Sequence, residues 1–343
     1  MDSVFYLYQD DSLRAQHNAV RTTAGWYDFT HKLLELTGED ATTFLGKMYP
    51  ANLDKLGVGK AKYTIMLDED GLICDDVIIF RLEEKKYWIS TLYAKDLLKR
   101  FARYDADYNV VYEDITGQWR MYSVQGLEAL EIVNGVIDNS ADDLKRYQIR
   151  DAALGDIPIK VSRTGFTGET LGYELYVPAE YHEVVEARLA EEGDKAGALH
   201  VTEIDVMAMT LAAEVGYYLM LDIRRCTPYE VGFEHAIDWT KDFVGKKALK
   251  RVKDKEPARR LVGIEVPDYD AVIYGGPHGG DVKKGDKVIG RVTKFTYGYT
   301  VEKNIGYALI DNGSAETGDT VTCNGYDVII TEKNHLGQRE RRI

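Results

Sequence analysis

The chain has 343 residues, of which 45% are hydrophobic and 29% charged, a soluble globular composition long enough for two or three domains at about 100–200 residues each. Its formal net charge of −14 argues against nucleic acid as a partner, because that binding rests on Lys and Arg neutralising phosphates. No run approaches the roughly 18 apolar residues of a membrane helix, and Asp2, Asp10, Asp11 and Arg14 spoil any signal-peptide pattern. The 3 cysteines, Cys74, Cys226 and Cys323, are too scattered for a disulfide framework, so a reducing, cytoplasmic location is expected.

In chain order, residues 32–38 and 61–67 read as short strands. Val77 to Leu82, the polar turn Glu83 to Lys86 and Tyr87 to Thr91 make a strand, turn and strand. Leu97, Leu98, Phe101, Tyr104 and Tyr108 follow at helical spacing, and that helix should cover the hairpin. Strands are expected at 109–115, 119–125, 157–163 and 172–177. Helices follow near 180–192, with Val184, Val185 and Leu189 on one side, and at 202–214. This mixed order predicts an α+β fold rather than a doubly wound parallel sheet. The basic cluster Lys246, Lys247, Lys250, Arg251 and Lys253 suits a solvated helix face.

The charged segment Lys253 to Pro257 looks like a linker between a region at 1–252, built as two interleaved α+β lobes, and a second at 258–343. The second contains strands at 259–266, 287–295, 305–311, 319–323 and 326–332, which predicts a small barrel or sandwich. Asn324-Gly325 joins the last two strands and is a strong hairpin signal, because both central residues of that turn need positive φ.

Several chemistries lack their motifs. Gly57-Val58-Gly59-Lys60 lacks the remaining positions of a dinucleotide loop or P-loop. Neither HExxH nor paired CxxC is present, so no metal site is expected, and no serine sits in a nucleophile elbow. Gly275 to Gly280 reads as a turn. Asp75-Asp76 opens an apolar strand, whose alternation lets only one carboxylate face inward. An inward carboxylate in apolar surroundings takes a raised pKa and can relay a proton. The alternative is that both simply end the turn in solvent. Ser162 to Glu169 is a Gly-punctuated loop with Phe166 at its tip. Beyond it Glu174 interrupts an apolar strand; if inward it needs hydrogen-bond donors, such as the N–H edge of a pterin. Glu214, on a helix of small residues, either lines a cleft or satisfies a neighbouring lysine.

These segments together resemble the glycine-cleavage T-protein family. Tyr63-Thr64-Ile65-Met66-Leu67 with Gly71 and Asp75-Asp76 is similar to its block of Tyr, Met-Leu, Gly turn and double Asp. Arg163 to Glu169 with Gly172-Tyr173-Glu174 is similar to its G-Y-T-G-E and G-Y-E block. His17 to Arg21 followed by Gly25, Asp28 and Thr30-His31 resembles its N-terminal block. Thr227 to Gly232 and Asp242 to Leu249 resemble its late T-P-x-E-x-G and D-F-I-G blocks. The resemblance implies a three-lobed folate-binding fold with a C-terminal β-barrel lobe and tetrahydrofolate in a central channel. It places Asp76 near the reactive folate nitrogen, Glu174 on the pterin ring, Tyr63 and Phe166 in the pocket walls, and Thr91 and Glu214 among the cofactor-binding residues.

The departures shift the expected reaction. The family's two arginines are absent around Ala208 and Ala212, the pocket Tyr is Phe166, and the family's strand Asn is replaced by Ser90 or Thr91. Pro228 to Phe233 and Phe295 to Lys303 look more like the folate-dependent demethylases that act on methoxy-aromatic acids. The expectation is therefore methyl transfer from a small O-, S- or N-methyl donor to N5 of tetrahydrofolate, with no lipoyl carrier protein. Asp76, Tyr217 and Tyr229 are the candidate catalytic groups; His31, Tyr218, Tyr297 and Tyr299, with His235, are candidates for the donor. The alternatives are aminomethyl transfer within the glycine cleavage system and a non-catalytic folate-binding protein.

Overall fold

A computed structural model describes residues 7–337. Residues 1–6, with Asp2, and 338–343 lie outside the described residues, as do the outer ends of the two expected regions. Among the described residues no helix is long and apolar enough to cross a membrane.

The first lobe is a five-stranded sheet in the order Lys60–Leu67, Ile73–Glu83, Lys86–Thr91, Lys32–Thr37 and Val111–Asp114. The expected hairpin is its centre. Alternation sends Val77 and Ile79 to one face, against Phe44 and Leu45 of helix Ala41–Met48 and Leu97 and Phe101 of helix Ala94–Phe101. Ile78 and Phe80 go to the other face and meet Met121 and Tyr176 of the second lobe. Both faces are covered, which is why this strand reads as a continuous apolar run.

The second lobe is a six-stranded sheet in the order Leu199–His200, Ala24–Asp28, Trp119–Gly126, Gly172–Pro178, Ile157–Ser162 and Ile149–Leu154. Helices Ala129–Val136 and His182–Ala196 close its outer face around Ile132, Val133, Val185 and Leu189. The third is a closed barrel in the order Arg259–Val266, Lys303–Asp311, Lys287–Gly298, Asp281–Lys284, Thr320–Cys323 and Tyr326–Thr331. Asn324 and Gly325 turn its last hairpin with φ of 50° and 87°, the positive pair that the dipeptide signals. The fold is thus the three-lobed α+β arrangement that the resemblance implies.

Some elements differ from their sequence patterns. The helix after the hairpin ends at Phe101, and Tyr104 and Tyr108 reach the same core from turns. Val184 is exposed although Val185 and Leu189, on the same helix, are buried. Lys246 does not simply face solvent: its ammonium donates to the Trp239 carbonyl at 3.0 Å. The expected helix at 202–214 is a π-helical stretch, Val206–Leu211, continued by Ala212–Glu214. Helix Asp11–Thr22 carries no apolar period to find, because it buries Gln16, His17 and Arg21.

Those buried polar groups tie the lobes together. Arg21 donates to the carbonyls of Thr167 at 2.8 Å and Leu211 at 2.9 Å, and to Glu214 Oε2 at 3.0 Å. It also pairs with Glu169. Glu214 Oε1 accepts the Thr300 amide of the barrel at 2.7 Å, and His17 Nε2 lies 3.3 Å from its other oxygen. Burial alone would raise the Glu214 carboxyl, but His17 and Arg21 outweigh it and hold it at about 2, below its ordinary 4.5. A depressed carboxylate contributes stability above its unfolded pKa and loses it as pH falls through the folded one. Arg21→Met, which strands a buried carboxylate, is expected to cost about 3–5 kcal/mol at neutral pH by urea denaturation. The variant should also lose less stability than the wild type between pH 4.5 and pH 2.

Candidate active site

Two cavities meet where the first sheet, the loop 163–169 and the segment after the π-helical stretch converge. The narrower, about 90 Å³, is mainly apolar and is lined by Phe29, His31, Leu92, Met207 and Met220, with Ser90 and Thr91. The wider, about 340 Å³, continues past Tyr147, Phe233 and His235. Tyr63, Asp76, Ile78, Phe166, Tyr217 and Tyr218 line both.

Asp76 stands opposite Ile65 in the strand pair and accepts the Tyr63 hydroxyl at 2.9 Å. Burial raises the Asp76 carboxyl above its ordinary range, and the Tyr63 bond pulls it partly back. Burial and the Asp76 charge together push the Tyr63 phenol well up, so it stays a donor. Asp75 points the other way and is buried, while Asp76 is half-buried against the cavities, so neither carboxylate ends the turn in solvent. Asp75 accepts the Thr91 hydroxyl at 2.8 Å and the Asp76 amide at 2.9 Å. Burial lifts its carboxyl to about 7.

His31 has its Nδ1 3.3 Å from the Ser90 hydroxyl and packs edge-on to Phe29 and Phe166, with ring centroids 4.1 and 5.6 Å away. Burial lowers the imidazole to about 4, which leaves it neutral at physiological pH. Phe166 owes its place to Gln125. That side chain donates to the Thr164 carbonyl at 3.1 Å and accepts the Thr167 hydroxyl at 3.0 Å. A Cβ at Gly165 or Gly172 would collide with it, so both positions need glycine for close approach.

Glu174 faces Ser123 and Ser162 on the flanking strands. Its Oε2 accepts hydroxyls from Thr164 at 2.7 Å and Tyr176 at 3.1 Å, while its Oε1 is buried without a hydrogen-bond partner. Burial raises this carboxyl to about 7, against the pull of those two hydroxyls. Neither cavity is lined by it.

Besides Glu174, four sequence candidates stand away from the cavities. Glu214 lines neither cavity and, among the described residues, meets no lysine: its partner is Arg21, a residue from the first helix. Tyr229 packs in the core beside the barrel. Tyr297 and Tyr299 pack against each other, with Tyr8 and His17 around them, and the Tyr299 hydroxyl donates to the Leu7 carbonyl at 2.6 Å. Sequence reasoning in turn missed Phe29, Ile78, Leu92, Met207 and Met220 as cavity walls, because an apolar wall residue carries the same pattern as a core residue. Ala208 and Ala212 also line the narrow cavity. The arginines missing there are missing from an inner wall, so their loss says nothing about the outer surface that a carrier protein would meet.

Residues 4–241 match the GCVT N-terminal domain family, and residues 259–326 match the glycine cleavage T-protein C-terminal barrel domain family. An aminomethyltransferase of Bacillus pumilus is 31% identical over 320 residues, covering 91% of this chain and 86% of the relative. One of Oceanobacillus iheyensis is 32% identical over 324 residues with the same coverage. The fold resembles the crystal structure of glycine cleavage system aminomethyltransferase T from Bartonella henselae, with a TM-score of 0.85 and 21% identity over 95% of this chain and 90% of the other. These relatives are named for aminomethyl transfer, a reaction whose donor rides on a lipoyl carrier, and they overturn the expectation that such a carrier has no part. With both regions matched in order along nearly its whole length, the chain belongs to the glycine cleavage T-protein family of tetrahydrofolate-dependent methyl- and aminomethyltransferases.

Proposed function

We propose that the chain moves the one-carbon unit of an aminomethyl group from the lipoyl arm of a carrier protein to tetrahydrofolate, yielding 5,10-methylene-tetrahydrofolate, ammonia and the lipoyl arm in its dithiol form. The observation that carries this is Asp76, bonded to Tyr63 in the wall common to both cavities. The names of the relatives support it; of the tyrosine candidates, Tyr297 and Tyr299 are taken up by packing, while Tyr217 and Tyr218 line the cavities.

The residues fit tetrahydrofolate. Glu174 Oε1 is a buried carboxylate oxygen lacking a donor, an arrangement costly to leave unmade, and a pterin edge offers N–H groups to it. Tyr63, Asp76 and Phe166 line both cavities and would hold the folate, which supplies the nucleophilic nitrogen; Glu174 lies behind that wall, bonded to Thr164, and would take the pterin edge through its second oxygen. Asp76, whose carboxyl burial raises above its ordinary range, holds or releases a proton while Tyr63 orients it. The apolar lining and neutral His31 of the narrow cavity exclude water from a one-carbon unit prone to hydrolysis.

Mass spectrometry of the folate product tests the reading. Methylene-folate and ammonia are expected only when aminomethyl-lipoyl carrier is supplied; 5-methyl-tetrahydrofolate formed from a free methyl donor without carrier would overturn it. Asp76→Asn is expected to lower kcat by about 10²–10⁴-fold with little change in folate affinity, and an unchanged kcat would remove Asp76 from the chemistry. Glu174→Gln should weaken tetrahydrofolate binding by about 1–3 kcal/mol in calorimetry. Because the free Glu174 carboxyl titrates at about 7, wild-type affinity should rise from pH 5.5 toward pH 7 as the carboxylate forms. The Gln variant should show a flat profile.

A further inference from the structure

Among the described residues no barrel side chain lines either cavity, yet the barrel reaches their wall from behind. Lys294 lies beside the bulge at Val292 and Lys294 in strand Lys287–Gly298 and is 1% exposed. Its ammonium donates to the Tyr217 carbonyl at 3.2 Å, lies 3.3 Å from Asp222 Oδ2, and sits 5.0 Å from the centre of the Tyr307 ring. The Tyr307 hydroxyl reinforces the same carbonyl at 3.2 Å. Asp222 Oδ2 accepts the Leu219 amide at 2.7 Å. The lysine and its counter-ion thus hold a carbonyl and an amide of one short segment.

That segment forms wall. Tyr217 and Tyr218 line both cavities, Leu219 and Met220 the narrow one. Between Ala212–Glu214 and Met220–Ile223, residues 217–219 have no regular structure, and only the Tyr217 amide still reaches back to the preceding helix, at the Ala212 carbonyl 2.9 Å away. A buried ion pair is not needed for stability as such, since apolar replacements of similar volume are often neutral or stabilising. What an apolar pair cannot supply is the ammonium on the Tyr217 carbonyl, which would be left with only the Tyr307 hydroxyl that it shares with the Ala213 carbonyl, and an acceptor for the Leu219 amide.

We propose that Lys294, with Asp222, is a positioning residue that fixes the 217–220 wall and so sets the shape of the folate-binding cavity. The part played by folate rests on the function proposed above; the clamp itself does not. Lys294→Met strands the Asp222 carboxylate and should lower Tm. Lys294→Met combined with Asp222→Asn removes both charges and keeps an acceptor for the Leu219 amide, so Tm should return close to the wild-type value.

In that double variant, hydrogen exchange at the amides of 217–220 should still run about tenfold faster than in the wild type, the scale of one lost hydrogen bond. Barrel strands should be unchanged, and tetrahydrofolate Kd should rise by a similar factor. Wild-type exchange at 217–220, or restoration of both Tm and Kd, would show that the pair only fills the seam and would overturn the proposal. If the double variant does not fold, Asp222→Ala alone, which removes the acceptor, should quicken exchange at Leu219, and unchanged exchange there overturns it too. A wild-type protein that fails to bind tetrahydrofolate would sink the proposed function, while the exchange measurement, which uses no ligand, still decides the role of Lys294.

Discussion

One buried guanidinium joins the parts of the chain that build the cavities. Arg21 comes from the first helix, and its partners lie on the loop that carries Phe166, on the segment with Met207, Ala208 and Ala212, and on Glu214, which grips the barrel through Thr300. Each of these parts is short or irregular and could not hold its position alone. Burying so many charges costs desolvation, and the network repays it only because each donor meets an acceptor. The cavities exist because the lobes cannot drift apart.

The second constraint is strand alternation in a sheet covered on both faces. It separates Asp75 from Asp76 and gives them different surroundings: a hydroxyl and an amide for one, a cavity and a phenol for the other. Burial raises both carboxyls, but only Asp76 faces space that a substrate can enter. Two adjacent residues of the same type thereby acquire different chemistry.

The barrel works at one remove. Its contribution to the site passes through backbone atoms of a neighbouring segment held by Lys294 and Tyr307. A lobe without cavity-lining residues among those described can therefore still shape the cavity. The same distinction explains the carrier. Charges missing from an inner wall affect what fits inside, whereas docking depends on an outer surface that those positions do not reach.

The sequence by itself determined the α+β class, the hairpin at Val77 to Thr91, the barrel strands other than Asp281–Lys284 with their Asn324-Gly325 turn, and the motif blocks that contain Tyr63, Asp76 and Phe166. These are local properties: periodicity, turn geometry and residues close together in the chain. The helix with Gln16, His17 and Arg21 facing inward escaped notice because polar groups are buried only where distant partners satisfy them. Tyr297 and Tyr299 looked like site residues because a tyrosine in a pocket and one in an aromatic cluster have the same sequence. Whether Glu214 meets a ligand or an arginine, and whether Ala208 and Ala212 face a cavity or a partner protein, only the tertiary structure decided, since each answer depends on groups far away in the chain that packing brings into contact.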